Sequence, residues 1–133
     1  MINSKNRRGS RLAFALAATA ISAIALPGIA RADATAECNV GTGVGSTECG
    51  VDSTSSGAGA VAVGNLATAS GAISTATGQA AVAGAPGASA YGSQAVASGP
   101  ASTALGHNSD ATALGATAVG VSAQATNVGA TAV

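Results

Sequence analysis

Three side chains that could do chemistry lie close together in the second half of the sequence, at His107, Ser109 and Asp110. These are the residue types of a hydrolytic triad, in which a histidine base activates the serine and an acid orients the histidine. A triad needs its members brought together at set angles, however, and one short segment of chain does not do that. We therefore interpret the three as surface polar residues, and we predict that the chain is not an enzyme.

The two cysteines, Cys38 and Cys49, allow either a disulfide or part of a metal site. Two thiols and one distant histidine are too few ligands for a zinc ion. A disulfide that closes this short loop is predicted instead, because the chain begins with an export signal and would meet an oxidising compartment. Such a loop stabilises a fold by about 3 kcal/mol in the chain-entropy model. We expect neither a metal nor a cofactor.

The first 32 residues have the pattern of a secretory signal peptide. A basic start precedes an uncharged apolar run at 12–26, and residues 30–32 form a small-x-small cleavage site. Cleavage is predicted between Ala32 and Asp33. An uncleaved N-terminal anchor is the alternative, but the apolar run is short for a spanning helix. The residues after the Arg7-Arg8 pair fit general secretion better than twin-arginine export.

Removal of this segment would change the charge balance of the chain. All five Lys and Arg residues lie within it, whereas all five Asp and Glu residues follow it. The exported chain would therefore carry five acidic side chains and no lysine or arginine. Without cations to meet phosphate groups, it has no physical basis for binding nucleic acid or anionic lipid.

The elements that carry these residues are set by a repeat of fourteen residues. Blocks of five residues start at 60, 74, 88, 102, 116 and 130, and a looser series starts at 67, 81, 95, 109 and 123. A fixed period of this kind indicates stacked copies of one supersecondary unit. Each block has alanine at its centre and the first series ends in glycine, giving Ala62, Ala69, Ala76, Ala83, Ala90, Ala97, Ala104, Ala111, Ala118, Ala125 and Ala132, with Gly64, Gly78, Gly92, Gly106 and Gly120.

Each block alternates small residues at its first and third positions with more varied residues at its second and fourth. This alternation predicts a strand with two unlike faces, and the two-residue connectors between blocks predict a tight corner after each strand. Pro86 and Pro100 fall in connectors, where proline removes no ladder hydrogen bond, and glycine supplies the positive φ of a corner. The repeat therefore predicts an all-β solenoid, a narrow parallel β-roll with an interior of alanine-sized side chains.

Residues 33–52 are predicted to form an N-terminal cap tied by the disulfide, followed by the repeats at 53–133. Glycine continues at the seven-residue spacing into this cap, which also suggests a degenerate first coil. Glu48 stands where alanine is expected, however, and a carboxylate in so thin an interior would be costly. Terminal repeats of solenoids are usually atypical. The run GTGVGS at 41–46 resembles a phosphate loop only in its glycines, so we predict a turning segment there.

The pattern S/A-x-A-x-G, two residues, A-x-A-x-G, two residues resembles the head repeat of the trimeric autotransporter adhesins, the YadA-like family. Residues 102–106, STALG, and 116–120, ATAVG, are close to the S-V-A-I-G core of that repeat. The resemblance implies a left-handed parallel β-roll, assembled as a homotrimer on the outer surface of a Gram-negative bacterium. It also implies binding to extracellular-matrix proteins, to host surfaces or to further copies of itself.

The sequence departs from that family beyond the head. It has no neck, no coiled-coil stalk and no membrane-anchoring strands, and it ends within a repeat. We therefore expect contact with a membrane only through an anchor absent from this chain, and a periplasmic or secreted location for the chain as written. A truncated, non-functional fragment is the alternative.

Two other hypotheses remain. An ice-binding or other flat-faced solenoid is suggested by a row of hydroxyls at Thr75, Ser89, Thr103, Thr117 and Thr131. A disordered Gly/Ala/Ser/Thr linker is suggested by composition alone. The alternation and the alanine column count against the linker, because a linker needs neither.

Overall fold

The computed structural model describes residues 38–133, so the predicted signal peptide and its cleavage position between Ala32 and Asp33 lie outside the described residues. Within that range the chain forms fourteen strands and no helix, and hence no helix able to cross a membrane. The strands are β1 (Cys38–Val40), β2 (Thr47–Cys49), β3 (Thr54–Ser55), β4 (Val61–Val63), β5 (Thr68–Ala69), β6 (Thr75–Thr77), β7 (Val82–Ala83), β8 (Ser89–Tyr91), β9 (Val96–Ala97), β10 (Thr103–Leu105), β11 (Asp110–Ala111), β12 (Thr117–Val119), β13 (Gln124–Ala125) and β14 (Thr131–Ala132).

The strands form two sheets, and each coil of the chain contributes one strand to each sheet. The larger sheet has the order β1-β2-β4-β6-β8-β10-β12-β14, and the smaller has the order β13-β11-β9-β7-β5-β3. Every pair except β1–β2 is parallel, and paired residues are fourteen apart, as in Thr103 with Thr117. This register confirms the predicted all-β parallel solenoid.

The strands are shorter than the five residues predicted from the blocks. Most strands of the larger sheet have three residues, and those of the smaller sheet have two. The first residue of a block is used to close the preceding corner, because its N–H donates to the carbonyl three residues earlier. Ala88, for example, donates to Ala85 at 3.1 Å, and Ala67 donates to Gly64 at the same distance.

The interior between the two sheets consists almost entirely of alanine and serine. Ten of the eleven central alanines are buried, and Ala132 in the last coil is half-buried. The first positions of the blocks supply a second inward column, which includes Ala60, Ser74 and Ala88. The largest fully buried side chains are four serines, so beyond the first coil the sheets lie too close together for anything longer.

The two edges of the roll, where the connectors stack, continue the hydrogen-bond ladders of the sheets. The second residue of a connector donates its N–H to the first connector residue of the coil before, as Ala101 does to Pro86 at 2.9 Å. That second residue has a left-handed backbone in each described coil, with φ between 53 and 68°. Glycine fills it in only five of the connectors, and the others hold Asp52, Leu66, Ile73, Ala80, Gln94, Ala101, Asn108 and Ser122.

The segment predicted as a cap contains the first strand of the parallel ladder. β2 pairs in parallel with β4, and β1 folds back antiparallel to β2. This hairpin places Cys38 opposite Cys49, and the two cysteines form a disulfide. The hairpin therefore covers the outer edge of the larger sheet at the N-terminal end of the roll.

Glu48 lies in the interior despite the expected cost of a carboxylate there. It occupies the alanine column opposite Ala62 and is only 4% exposed. Its Oε2 atom accepts a hydrogen bond from the N–H of Ser55 at 3.1 Å. This backbone donor of the first coil replaces part of the lost hydration of the carboxylate.

Candidate functional site

The three residues with triad chemistry do not come together. His107 is exposed on an edge, where its Nδ1 lies 3.1 Å from the carbonyl oxygen of Ser93, so the ring donates there. Ser109 is buried in the interior and donates to the carbonyl oxygen of Gly106 at 3.0 Å. Asp110 follows Ser109 as the first residue of β11, and it faces outward from the smaller sheet.

Ser109 is therefore not a surface residue, contrary to the interpretation from sequence. It occupies the first position of a block, and that position points inward in both series. Its hydroxyl donates to a carbonyl rather than to a base, which leaves it no role as a nucleophile in this arrangement. Asp110 is half-buried, and its Oδ1 atom has no hydrogen-bond partner among residues 38–133.

Metal-binding geometry is not formed in the part of the chain that the structure describes. No group of three or more His, Cys, Asp or Glu side chains is placed to hold an ion there. The GTGVGS run forms a turn that covers the end of the smaller sheet, with the N–H of Gly43 donating to the carbonyl of Ser55 at 3.1 Å. The N–H groups of Gly41, Gly43 and Ser46 are thus used within the fold.

The outer face of the larger sheet carries two columns of side chains that run along the roll. The second position of each block in the first series gives half-buried hydroxyls in register at Thr75, Ser89, Thr103 and Thr117. The fourth-position residues Val63, Tyr91, Leu105 and Val119 form what we call the apolar column, which Thr77 interrupts between Val63 and Tyr91. Because an apolar column lies beside the hydroxyls, this face does not present the repeated pairs of threonines that a flat ice-binding face would need.

The outer face of the smaller sheet carries a hydroxyl column that sequence reasoning missed. The fourth positions of the looser blocks are exposed and hold mostly serine and threonine, at Ser56, Ser70, Ser98, Thr112 and Thr126. Only the glycine at position 84 interrupts the column. Its signal was present in the sequence as a recurrence every fourteen residues, but it becomes visible only when the looser series is aligned by itself.

The two edges of the roll differ sharply in polarity. We call the connectors at 51–52, 65–66, 79–80, 93–94, 107–108 and 121–122 the mixed edge, because it contains both polar and apolar residues. Its side chains bond between coils, as Asn65 Nδ2 does to the carbonyl of Val51 at 3.1 Å. The opposite set of connectors forms what we call the apolar edge, and apart from five glycines it consists of Val44, Ala58, Ala72, Ile73, Pro86, Pro100, Ala101, Leu114 and Val128.

No protein-family model matches the sequence, and no curated protein matches it either. The outer faces and edges of the roll repeat at every coil, and after residue 52 they carry one charged side chain, Asp110.

Surfaces of this kind favour contact over catalysis. Each outward column repeats at the strand spacing of about 4.8 Å, so a ligand meets the same side chain many times along the roll. Hydroxyls offer both donors and acceptors without charge. An extended partner, or a second flat surface, fits this arrangement better than a small molecule, since small-molecule sites are concave.

Proposed function

We propose that this chain is the head of a trimeric bacterial surface adhesin, exported and displayed on the cell surface. The observation that carries the proposal is the S/A-x-A-x-G repeat, which resembles that of the YadA-like heads and folds here into coils of fourteen residues. Its neutral faces support attachment to extracellular-matrix proteins, host surfaces or further copies of the chain.

The apolar column supports a homotrimer. Leu105 is 47% exposed, and Tyr91 and Val119 lie directly beside it on the neighbouring strands. A lone roll would leave this stripe in contact with water, and exposed apolar patches usually mark an interface. In this trimer, the outer face of the larger sheet would point towards the three-fold axis, and the smaller sheet with its hydroxyl column would face outward.

We expect Leu105→Asp to weaken trimer assembly at least about tenfold, because it would bury a charge among apolar side chains. Gln94→Asp is the matched control, since Gln94 is exposed on the mixed edge and its replacement stays in water. Sedimentation velocity of the purified chain across a concentration series measures both. A well-folded wild-type monomer at every concentration would contradict the trimer.

Attachment through this head would rest on many weak contacts. With Asp110 as the one charge after residue 52, salt bridges contribute little to binding. Trivalency and dense display multiply weak contacts without any single strong one. Tyr91, the sole aromatic residue after residue 32, lies in the apolar column and belongs to the proposed trimer contact, so the outward faces offer no aromatic hot spot for attachment.

We expect attachment to depend little on salt. Residues 33–133, joined to a complete stalk and anchor and displayed on cells, should attach to matrix proteins or sister cells. Raising salt from about 0.1 to 1 M, which shortens the screening length from about 10 to 3 Å, should change attachment by less than about twofold. The control is the same stalk and anchor without the head.

Two results would count against this proposal. Attachment no greater than that of the headless control would leave a spacer as the better account of the repeat. Loss of attachment in moderate salt would contradict the mechanism, because it would show that charges carry the binding.

A further inference from the structure

The hairpin of β1 and β2 is the most local strand pairing in residues 38–133. Its paired residues are seven to eleven apart, from Val40 with Thr47 to Cys38 with Cys49, whereas every parallel pair joins residues fourteen apart. Closing a shorter loop costs less conformational entropy, and local pairings form fastest. Chain topology therefore favours this N-terminal end as the place where folding of the roll starts.

The Cys38–Cys49 disulfide is what holds β1 in this hairpin. β1 has three residues, it pairs with β2 alone, and two of its three side chains are exposed, with Val40 at 75%. A two-stranded hairpin without a buried apolar face is marginal in water. Without the disulfide, β1 would therefore detach, and β2 would lose one of its two neighbours.

The first coil, residues 46–59, is tied across the interior by polar groups. The hydroxyl of Ser46 shares its hydrogen between the carbonyl oxygens of Gly43, at 2.7 Å, and Ser55, at 3.0 Å. Glu48 accepts the N–H of Ser55 at 3.1 Å. These bonds join the β2 side of the coil to β3, so the first coil has cohesion of its own before another coil packs on it.

The later coils depend on their neighbours. The four inward positions of the second coil are all fully buried alanines, at Ala60, Ala62, Ala67 and Ala69. Each buries a single methyl group, which is little to set against the entropy of ordering fourteen residues. The backbone donors of this coil find partners in the coil beside it, as the N–H of Val61 does at the carbonyl of Ser74. Such a coil is stable only on a coil that has already formed.

We propose that the Cys38–Cys49 disulfide is a redox switch for folding. The first coil closes once the disulfide forms, and the later coils then stack on it in order. Forming the bond oxidises two thiols, and an external disulfide accepts the two electrons and two protons and is reduced to two thiols. Cys38 is exposed, so it is open to this exchange. While both cysteines stay reduced, the chain remains unfolded.

The purpose of such a switch rests on the proposed function, because an exported head has to cross a membrane before it folds. Thiols are kept reduced in the cytoplasm and are oxidised outside it. A roll that forms only after oxidation would stay unfolded before export and would fold beyond the membrane. The tests below use no ligand and no membrane, so their failure would overturn this inference and leave the proposed function standing.

Refolding of the purified full chain from urea, with and without a reductant, tests the switch. A loop of this length changes the equilibrium constant of unfolding by about a hundredfold in the chain-entropy model. Where the hairpin is already formed in the transition state, most of that change falls on the refolding rate. We expect reduction to slow refolding at least about thirtyfold and to speed unfolding less than about threefold. Oxidised glutathione should restore fast refolding.

The variant with both Cys38→Ser and Cys49→Ser is the control for this measurement. It should refold at the rate of the reduced chain whether or not a reductant is present. A larger effect of reduction on unfolding than on refolding would make the hairpin a clamp that forms late, and it would overturn the inference. A response of the double variant to the reductant would also overturn it, because the effect would not come from the disulfide.

Ser46→Ala and Ser74→Ala, both made in the oxidised chain, test the first coil as the starting point. Both serines are buried at the first position of a block and donate to the carbonyl three residues earlier, but Ser46 also reaches Ser55. We expect Ser46→Ala to slow refolding about fivefold and Ser74→Ala to slow it less than about twofold. Equal refolding rates for the two variants would overturn the inference, even if the reduced chain fails to fold at all.

Discussion

Ala104→Leu should lower the free energy of unfolding by on the order of 1–3 kcal/mol or more, because the interior has no room for it. Ala104 is fully buried between Ala90 and Ala118 of the neighbouring strands. The largest fully buried side chains anywhere in residues 38–133 are serines. A leucine must therefore push the two sheets apart, and it does so in a column where each coil stacks on the next. Urea unfolding followed by circular dichroism measures the loss.

Thr103→Leu is the matched control for this change. Thr103 is the preceding residue of the same strand, and it is half-exposed on the outer face beside Ser89 and Thr117. The same increase in size should alter the free energy of unfolding by about 0.5 kcal/mol or less at that position. The comparison is made at low protein concentration, where contacts between chains contribute least. Equal losses for the two variants would contradict the register of the strands.

The fold class was predictable because the repeat carries long-range information in short blocks. An alanine at the centre of eleven successive blocks indicates that this position meets the same neighbours in every coil. Only a stacked structure provides that. The alternation within each block then fixes which side chains point inward, and the two-residue connectors leave room for nothing but a corner.

The polarity of a side chain was a poor guide to its burial, whereas its position within the block was a good one. Ser109 and Glu48 both have side chains typical of a surface, yet each occupies an inward position of its block and is buried. Ser109 satisfies its hydroxyl with the nearby carbonyl of Gly106, and Glu48 accepts the N–H of Ser55. Local backbone partners of this kind cannot be seen before the corners are built. In a periodic sequence, the phase of a residue is thus a better guide to burial than its type.

The corners were the least predictable part of the fold. The glycines that end the first series of blocks supply positive φ as predicted, at 124–139°, but eight connectors also reach positive φ with other residues, including Leu66 and Ile73. Residue propensity disfavours this conformation for leucine and strongly disfavours it for isoleucine. The stacked ladder imposes it, since the N–H of each such residue must reach the carbonyl of the coil before. Strain at single corners is distributed along a structure in which every coil supports its neighbours.

The division between scaffold and binding surface follows from the same repeat. Inward alanines and corner glycines are constrained in every coil, so they specify the roll and say nothing about a ligand. Choice of partner can be encoded only at the outward positions and in the connectors. Of these, the apolar edge and the hydroxyl column of the smaller sheet emerge only after the two series of blocks are separated. Specificity for a ligand is therefore determined by the outward and connector positions, which vary most from coil to coil.

Gly92→Ala should be among the most destabilising single-atom additions in the roll, costing about 3 kcal/mol or more. Gly92 has φ of 133°, a region that is essentially restricted to glycine. A Cβ atom there would also lie 2.5 Å from the carbonyl oxygen of Gly106 in the next coil. That oxygen belongs to the backbone of the stack and cannot swing aside, so relief requires the coils to separate. Thermal unfolding of the purified variant, followed by circular dichroism, measures the effect.

Gly115→Ala separates the two causes of that loss. Gly115 also has positive φ, at 63°, but a Cβ atom added to it meets nothing within 4 Å. Alanine already occupies the equivalent corner of the coil before, at Ala101, with φ of 53°. We therefore expect a change of about 1 kcal/mol or less, because the left-handed strain is partly offset by the lower entropy of the unfolded chain. If Gly92→Ala were as mild as Gly115→Ala, the coils could not be stacked as closely as the glycine column requires.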